Sequence, residues 1–284
     1  MEILIGQYSG FCQGVCYTVK KALDTVSVND NVYCLGEIVH NERVIKDLED
    51  KGMITVSSLD EVPNNSKVIF RAHGEQMKIY DEAEKKNLEV IDLTCGKIRI
   101  IRNKIIKQKD NSFIIIIGKK NHPETIGTFS YAGENASIIE SEEDIINSLE
   151  LVGNSHLKRI YVCAQTTFSS KLFDLYIDRL KELFDGEVIF DKTICDATEN
   201  RQNEVRELSY SVDKMIIVGG MKSSNTKELY LIAKEILDDV YLIQDINDIK
   251  DITFSSNDII GIMAGASTPD DVVLEIVDYL NKFK

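Results

Sequence analysis

The chain has 284 residues, 43% of them hydrophobic and 28% charged, which leaves room for two or three compact units, each with its own core. Forty-seven acidic residues against 33 basic ones give a net charge of -14, which opposes nonspecific attraction to nucleic acid or to an anionic membrane surface. The chain has no apolar run approaching the ~18 residues of a membrane span, no basic-then-apolar start in "MEILIGQYSGF", and six scattered cysteines (12, 16, 34, 95, 163, 195) that do not form a disulfide scaffold. These features point to a cytoplasmic protein whose cysteines are core residues or ligands.

In chain order, the first apolar run, "EILIGQ", reads as a short strand leading into "GFCQGVC". "VYCLGEIVHN", "KVIFRAHGE" and "EVIDLTC" follow with amphipathic stretches between them. The same rhythm returns in "SFIIIIGKKNHPE", "RIYVCAQTT" and "EVIFDKTIC", and again in "MIIVGGMKSSN" and "DIIGIMAGAST". Strands of four to six residues alternating with helices predict an α/β protein of parallel sheets with helices on both faces. With three prolines in all and no Gly/Ser-rich linker, the units must be joined tightly.

The strand ends repeat. Gly36, Gly118 and Gly219 close three apolar runs, and four positions later stand His40, His122 and Ser223. These polar residues follow Cys12, Cys95 and Cys195 by 28, 27 and 28 positions. A second strand end reaches an alanine (Ala72, Ala164, Ala264) and then turns polar. The spacing predicts three similar units, 1–94, 95–192 and 193–284, each opened by a cysteine. Ligands of α/β sheets bind beyond the carboxyl ends of the strands, so three such ends can aim at one centre. Cys12, Cys95 and Cys195 would then meet, with His40, His73, His122, Thr166, Ser223 and Ser267 around them.

Three thiolates suit a soft metal. Zinc would take a fourth ligand, such as His122 or His73, while a cubane cluster would leave one iron without a protein ligand. A third possibility is a nucleophilic Cys12 with a histidine base. Cys34 and Cys163 lie inside strand runs and read as core, and His156 in "GNSHLK" as an ordinary surface residue. "KSSN" (Lys222 to Asn225) and "GAST" (Gly265 to Thr268) supply uncharged donors suited to phosphate oxygens, although capping alone accounts for any one of Ser223, Ser224, Asn225 or Ser267. Glu124 in "HPET" is a candidate proton donor, since a carboxyl near anionic groups is harder to ionise; Thr166 is the candidate relay.

Taken in order, "GFCQGV", "EIVHN", "RAHG", "DLTC", "NHPETIG", "AQTTFS", "TICDATENRQ", "KSSNT" and "AGASTPD" resemble the 4-hydroxy-3-methylbut-2-enyl diphosphate reductases over nearly the whole chain. The resemblance implies a trefoil of three α/β domains around a 4Fe-4S cluster held by Cys12, Cys95 and Cys195. It implies that His40, His73, Ser223, Asn225 and Ser267 hold the diphosphate, with Ser224 and His122 nearby, and that Glu124 and Thr166 deliver protons. Two electrons, from a donor such as ferredoxin or flavodoxin, and two protons would remove the substrate's hydroxyl as water. Three positions depart from the family pattern: Tyr17 where a basic residue is frequent, Gly96 where proline is usual, and Arg102 where histidine is frequent. These departures motivate the alternative of a diverged iron-sulfur protein with a redox-sensing or other non-catalytic role. Cys16 has no equivalent in the other repeats, where Arg99 and Glu199 stand, so it is expected on the helix after Cys12 as an ordinary thiol.

Overall fold

The computed structural model describes residues Met1–Phe283. The chain opens with β1 (Glu2–Ile5) and α1 (Gln13–Val28), followed by β2 (Val32–Leu35), α2 (Glu42–Glu49), β3 (Met53–Val56), β4 (Lys67–Phe70), α3 (Met77–Lys85) and β5 (Glu89–Asp92). Helix α4 (Gly96–Gln108) leads into β6 (Phe113–Ile117), α5 (Pro123–Phe129), β7 (Ala136–Ile139), α6 (Glu143–Ser155), β8 (Arg159–Ala164), α7 (Ser170–Leu183) and β9 (Glu187–Phe190). Helix α8 (Asp196–Ser209) leads into β10 (Lys214–Val218), α9 (Ser224–Lys234), β11 (Val240–Ile243), β12 (Ile259–Ala264) and α10 (Asp270–Leu280).

Among the described residues the strands form three four-stranded sheets, ordered β3-β2-β4-β5, β7-β6-β8-β9 and β11-β10-β12-β1. Every pairing is parallel, which gives the α/β class that the alternation predicts. The three orders are the same, with β1 taking the place that β5 and β9 hold in theirs. The strand before Cys12 therefore completes the sheet of the last strands, with Ile5 opposite Ile262. The chain divides into two compact units. One combines Met1–Val19, Val39–Asp47 and the stretch from Asp196 onward; the other combines Lys20–Ile38 with Leu48–Cys195.

Alternation within the strands builds the cores. In "FIIII" of β6, Phe113, Ile115 and Ile117 pack with Ile145 and Val152 of α6 and with Phe173, Ile177 and Leu180 of α7. Ile114 and Ile116 point the other way, to Ile101 and Ile105 of α4. Strand β10 repeats the device: Ile216 and Val218 meet Val272, Val273 and Ile276 of α10, while Met215 and Ile217 meet Val205 of α8 and Leu229 and Ile232 of α9. A strand apolar on both faces has to be covered on both, which is what a period-two run between two helical layers achieves.

The strand-end glycines recur because something lies on each of them. A Cβ on Gly36 would fall 2.5 Å from Nη1 of Arg71, one on Gly118 2.9 Å from both the Gln165 Cβ and the Thr125 Oγ1, and one on Gly219 2.7 Å from the hydroxyls of Thr226 and Thr268. Gly36 also has φ +70°, which a side chain would strain. The central pairing aligns Phe70, Ala164 and Ala264, opposite Leu35, Ile117 and Val218 respectively. Ala72 is thus two positions beyond the alanine equivalence that the sequence suggests, and its counterparts are Thr166 and Ala266. Residue identity misleads there because the apolar run that pairs, Lys67–Phe70, ends two residues before Ala72.

Candidate active site

The three junction cysteines share one backbone arrangement. The Cys12 N-H donates to the Ala266 carbonyl at 3.2 Å, the Cys95 N-H to Ala72 at 3.0 Å, and the Cys195 N-H to Thr166 at 3.0 Å. Each acceptor lies two residues past the end of a central strand, and each cysteine precedes a helix. Cys12 and Cys95 begin the helical hydrogen bonds through their own carbonyls, to Cys16 at 2.9 Å and Arg99 at 3.1 Å. The Val15 N-H also points at the Cys12 sulfur, 3.4 Å away. All three are half-buried, outside any disulfide, and placed immediately before a helix.

The remaining cysteines differ. Cys34 and Cys163 are fully buried within β2 and β8, and burial pushes the Cys34 thiol up to about 12 and that of Cys163 well above its usual range. Cys16 is exposed on α1. His156 ends α6 in a left-handed conformation at φ +61° and is exposed.

In the unit containing Leu48–Cys195, Pro123 starts α5 and His122 caps it, its Nδ1 accepting the Glu124 N-H at 3.2 Å. Proline at the first helical position sacrifices no hydrogen bond and fixes the turn that aims Glu124. The Glu124 carboxyl is 3% exposed; its Oε1 accepts the Thr166 N-H at 2.6 Å and its Oε2 accepts the Thr166 hydroxyl at 2.8 Å. Burial raises the pKa of Glu124, outweighing the lowering by the two Thr166 bonds and the Arg102 charge. The carboxyl is therefore suited to holding a proton away from water, with the Thr166 hydroxyl next in line. The His73 and His122 rings meet edge to face, centroids 5.5 Å apart. His73 follows the Ala72 that holds Cys95, and Thr166 itself holds Cys195. One run of contacts in this unit thus links Cys95, His73, His122, Glu124, Thr166 and Cys195.

In the unit built from both ends of the chain, Ser223 caps α9, its Oγ accepting the Thr226 N-H at 3.2 Å. Ser224 and Asn225 form the first turn, 5% and 4% exposed. Both polar atoms of the Asn225 amide are buried without a hydrogen-bond partner among the described residues. A buried amide left unpaired is costly, and here it sits where helix N-H groups and dipole favour an anion. Ser267, 7% exposed, donates through its Oγ to the His40 carbonyl at 3.3 Å. Gly220 packs so closely under that carbonyl that a Cβ would collide with it. Ser267 follows the Ala266 that holds Cys12, so this unit gathers Cys12, His40 and Ser267, and carries the α9 start.

Every residue that the sequence offers as a cysteine ligand, substrate contact or proton carrier thus lies in one of these two clusters. Sequence reasoning passed over Gln165, whose side chain covers Gly118 and accepts the Lys119 N-H at 3.0 Å, and it noted Arg102 only as a departure. Strand pairing makes Gln165 the counterpart of Arg71, a signal that the offset at Ala72 conceals.

The LytB protein family matches residues 3–281. The 4-hydroxy-3-methylbut-2-enyl diphosphate reductase of Thermoanaerobacter sp. (strain X514) is 37% identical over 289 residues, covering 100% of this chain and 98% of its own. That of Clostridioides difficile (strain 630) is 35% identical, covering 99% of both chains. Among solved structures, the E-1-hydroxy-2-methyl-but-2-enyl-4-diphosphate reductase from Plasmodium falciparum superposes with a TM-score of 0.88 at 30% identity, over 99% of this chain and 88% of that one. A structure described as (E)-4-hydroxy-3-methyl-but-2-enyl diphosphate reductase, the terminal enzyme of the non-mevalonate pathway, gives a TM-score of 0.71 at 33% identity, over 99% and 100%. With that coverage, the chain belongs to the LytB family.

Proposed function

We infer that the chain is an oxidoreductase that converts 4-hydroxy-3-methylbut-2-enyl diphosphate to isopentenyl and dimethylallyl diphosphates, removing the hydroxyl as water with two electrons and two protons. The observation that carries this reading is the buried Glu124 carboxyl clasped by Thr166, a proton source kept out of water beside two histidines. Cys12, Cys95 and Cys195 suit the thiolate ligands of a 4Fe-4S cluster, since each is a half-buried, disulfide-free sulfur at the start of a helix. When bound, the cluster supplies the electrons and an iron that acts as a Lewis acid.

His40, His73, Ser223, Asn225 and Ser267 hold the diphosphate, with Ser224 and His122 adjoining. The Asn225 amide gains in the complex the hydrogen bonds it lacks without ligand, and the α9 dipole offsets the charge of an anion in a protein that is itself acidic. Glu124 gives its proton to the departing hydroxyl through Thr166, and burial keeps bulk water from competing. Reducing equivalents come from a small carrier such as ferredoxin or flavodoxin, in the cytoplasm. No described helix is long and apolar enough to cross a membrane. A non-catalytic iron-sulfur protein is not favoured, because relatives matching the full length carry the reductase name.

Anaerobic reconstitution with iron and sulfide, followed by assay with a strong one-electron donor, tests the reading. The wild type is expected to be brown and active, and Glu124→Gln to keep its iron while losing roughly 100-fold or more in kcat. A colourless, zinc-loaded protein that stays inactive after reconstitution overturns the reductase assignment. A fully active Glu124→Gln enzyme overturns the role of Glu124.

A further inference from the structure

Arg102 lies two turns into α4 and is only 4% exposed, a rare situation for a guanidinium. It rests over the Tyr131 ring, 4.8 Å from its centroid. Two glycines make the space it occupies. A Cβ on Gly74, the residue after His73, would collide with its Nη2, and one on Gly127 of α5 would fall 2.8 Å from the same nitrogen. Gly127 is three residues from Glu124, on the same face of α5. Nε and Nη2 of Arg102 find no hydrogen-bond partner among the described residues. The nearby Glu75 is already engaged, by Nε of Arg71 at 2.8 Å.

A buried cation with two unmet donors is unfavourable by itself, so its presence between the His73 turn and the Glu124 helix calls for a compensating role. We propose that Arg102 is a positioning residue for Glu124: its buried charge braces the turn after His73 against α5 and stabilises the carboxylate that Glu124 becomes once it has given up its proton. The proposal depends on the reductase reading only in taking Glu124 as the proton donor.

The direction of the Arg102 effect agrees, since its positive charge opposes the upward push that burial exerts on Glu124. The other titratable groups about Glu124 are His122 on its own helix cap, His73 against His122, and Cys163 of β8, which burial keeps protonated. Removing the positive charge of Arg102 disfavours the carboxylate. Glu124 then stays protonated to higher pH, and any rate that depends on the acid form holds up to higher pH with it.

The test is an infrared titration of the reconstituted protein, with the Glu124 carboxylic C=O band assigned by its loss in Glu124→Gln. Arg102→Gln is expected to raise the midpoint by about 1 pH unit or more, and Arg102→Lys, which keeps the charge, to restore most of it. The alkaline limb of kcat should move by the same amount, with little change in KM. Iron content and thermal melting establish that the variants are folded and loaded. A folded Arg102→Gln protein with an unmoved midpoint overturns the proposal. If that variant does not fold, Arg102→His, neutral on the alkaline side, takes its place under the same criterion. The infrared midpoint reads the link between Arg102 and Glu124 whether or not the enzyme turns over, so the two failures are distinct: a colourless protein that stays inactive after reconstitution defeats the reductase reading, and an active Glu124→Gln defeats Glu124 as the proton donor.

Discussion

At the scale of single residues, Glu124 sets a stability trend as well as a proposed chemical role. Its pKa is raised in the folded protein, mainly by burial. A carboxyl of this kind favours folding below its unfolded pKa, and that contribution is lost as pH rises from the ordinary carboxylate range through the raised value. Glu124→Gln has nothing to ionise there. Urea melts should therefore show the variant gaining on the wild type across that window, and a difference constant with pH would mean that Glu124 ionises without penalty. Asn225 offers the opposite separation of folding from binding. Because its amide is buried and unpaired in the protein alone, Asn225→Leu should leave the melting temperature unchanged or raise it slightly. The KM for the diphosphate should rise roughly 10- to 100-fold, the equivalent of losing hydrogen bonds to a charged group. The site's cysteines, histidines and hydroxyls were legible in the sequence because chemistry-bearing types recur at strand ends. Arg102 and Gln165 were not, because their meaning lies in what they cover.

At the scale of elements, the strand-to-helix junctions do the positioning, and glycine has two different meanings within them. At Gly36 the backbone needs φ +70° and Arg71 leaves no room. Gly36→Ala should cost roughly 1–2 kcal/mol or more in chemical denaturation, with further loss if Arg71 is pushed off Glu75. Gly96, which opens α4 directly after Cys95, has no atom within 4 Å of where a Cβ would stand. Gly96→Ala should instead stabilise by about 0.5 kcal/mol, and a loss of stability there would reveal a need for backbone freedom beside Cys95. The helices after all three cysteines were legible from amphipathic spacing. The offset at Ala72 was not, since parallel register is decided by pairings between distant segments.

At the scale of the whole molecule, three sheets with one strand order bear out the repeat that spacing suggested. We retain 1–94, 95–192 and 193–284 as the proposed repeat units in sequence. The pairing of β1 with β12 had no local signal, because a strand's composition does not name its neighbour. It matters for the cysteine that follows β1. Ile3 and Leu4 pack toward the cores on opposite faces of their sheet. Replacing both by Asp should undock β1, lowering the melting temperature and the iron content of reconstituted protein together. Iron retained at wild-type level in such a variant would show that Cys12 needs no help from β1. The same pairing orders events in biosynthesis. The backbone of Cys12 is held by Ala266, 254 positions later. A nascent chain still lacking β12 presents Cys12 without its seat, so loading of any inorganic centre that Cys12 helps to hold must wait until β12 has been made and paired with β1.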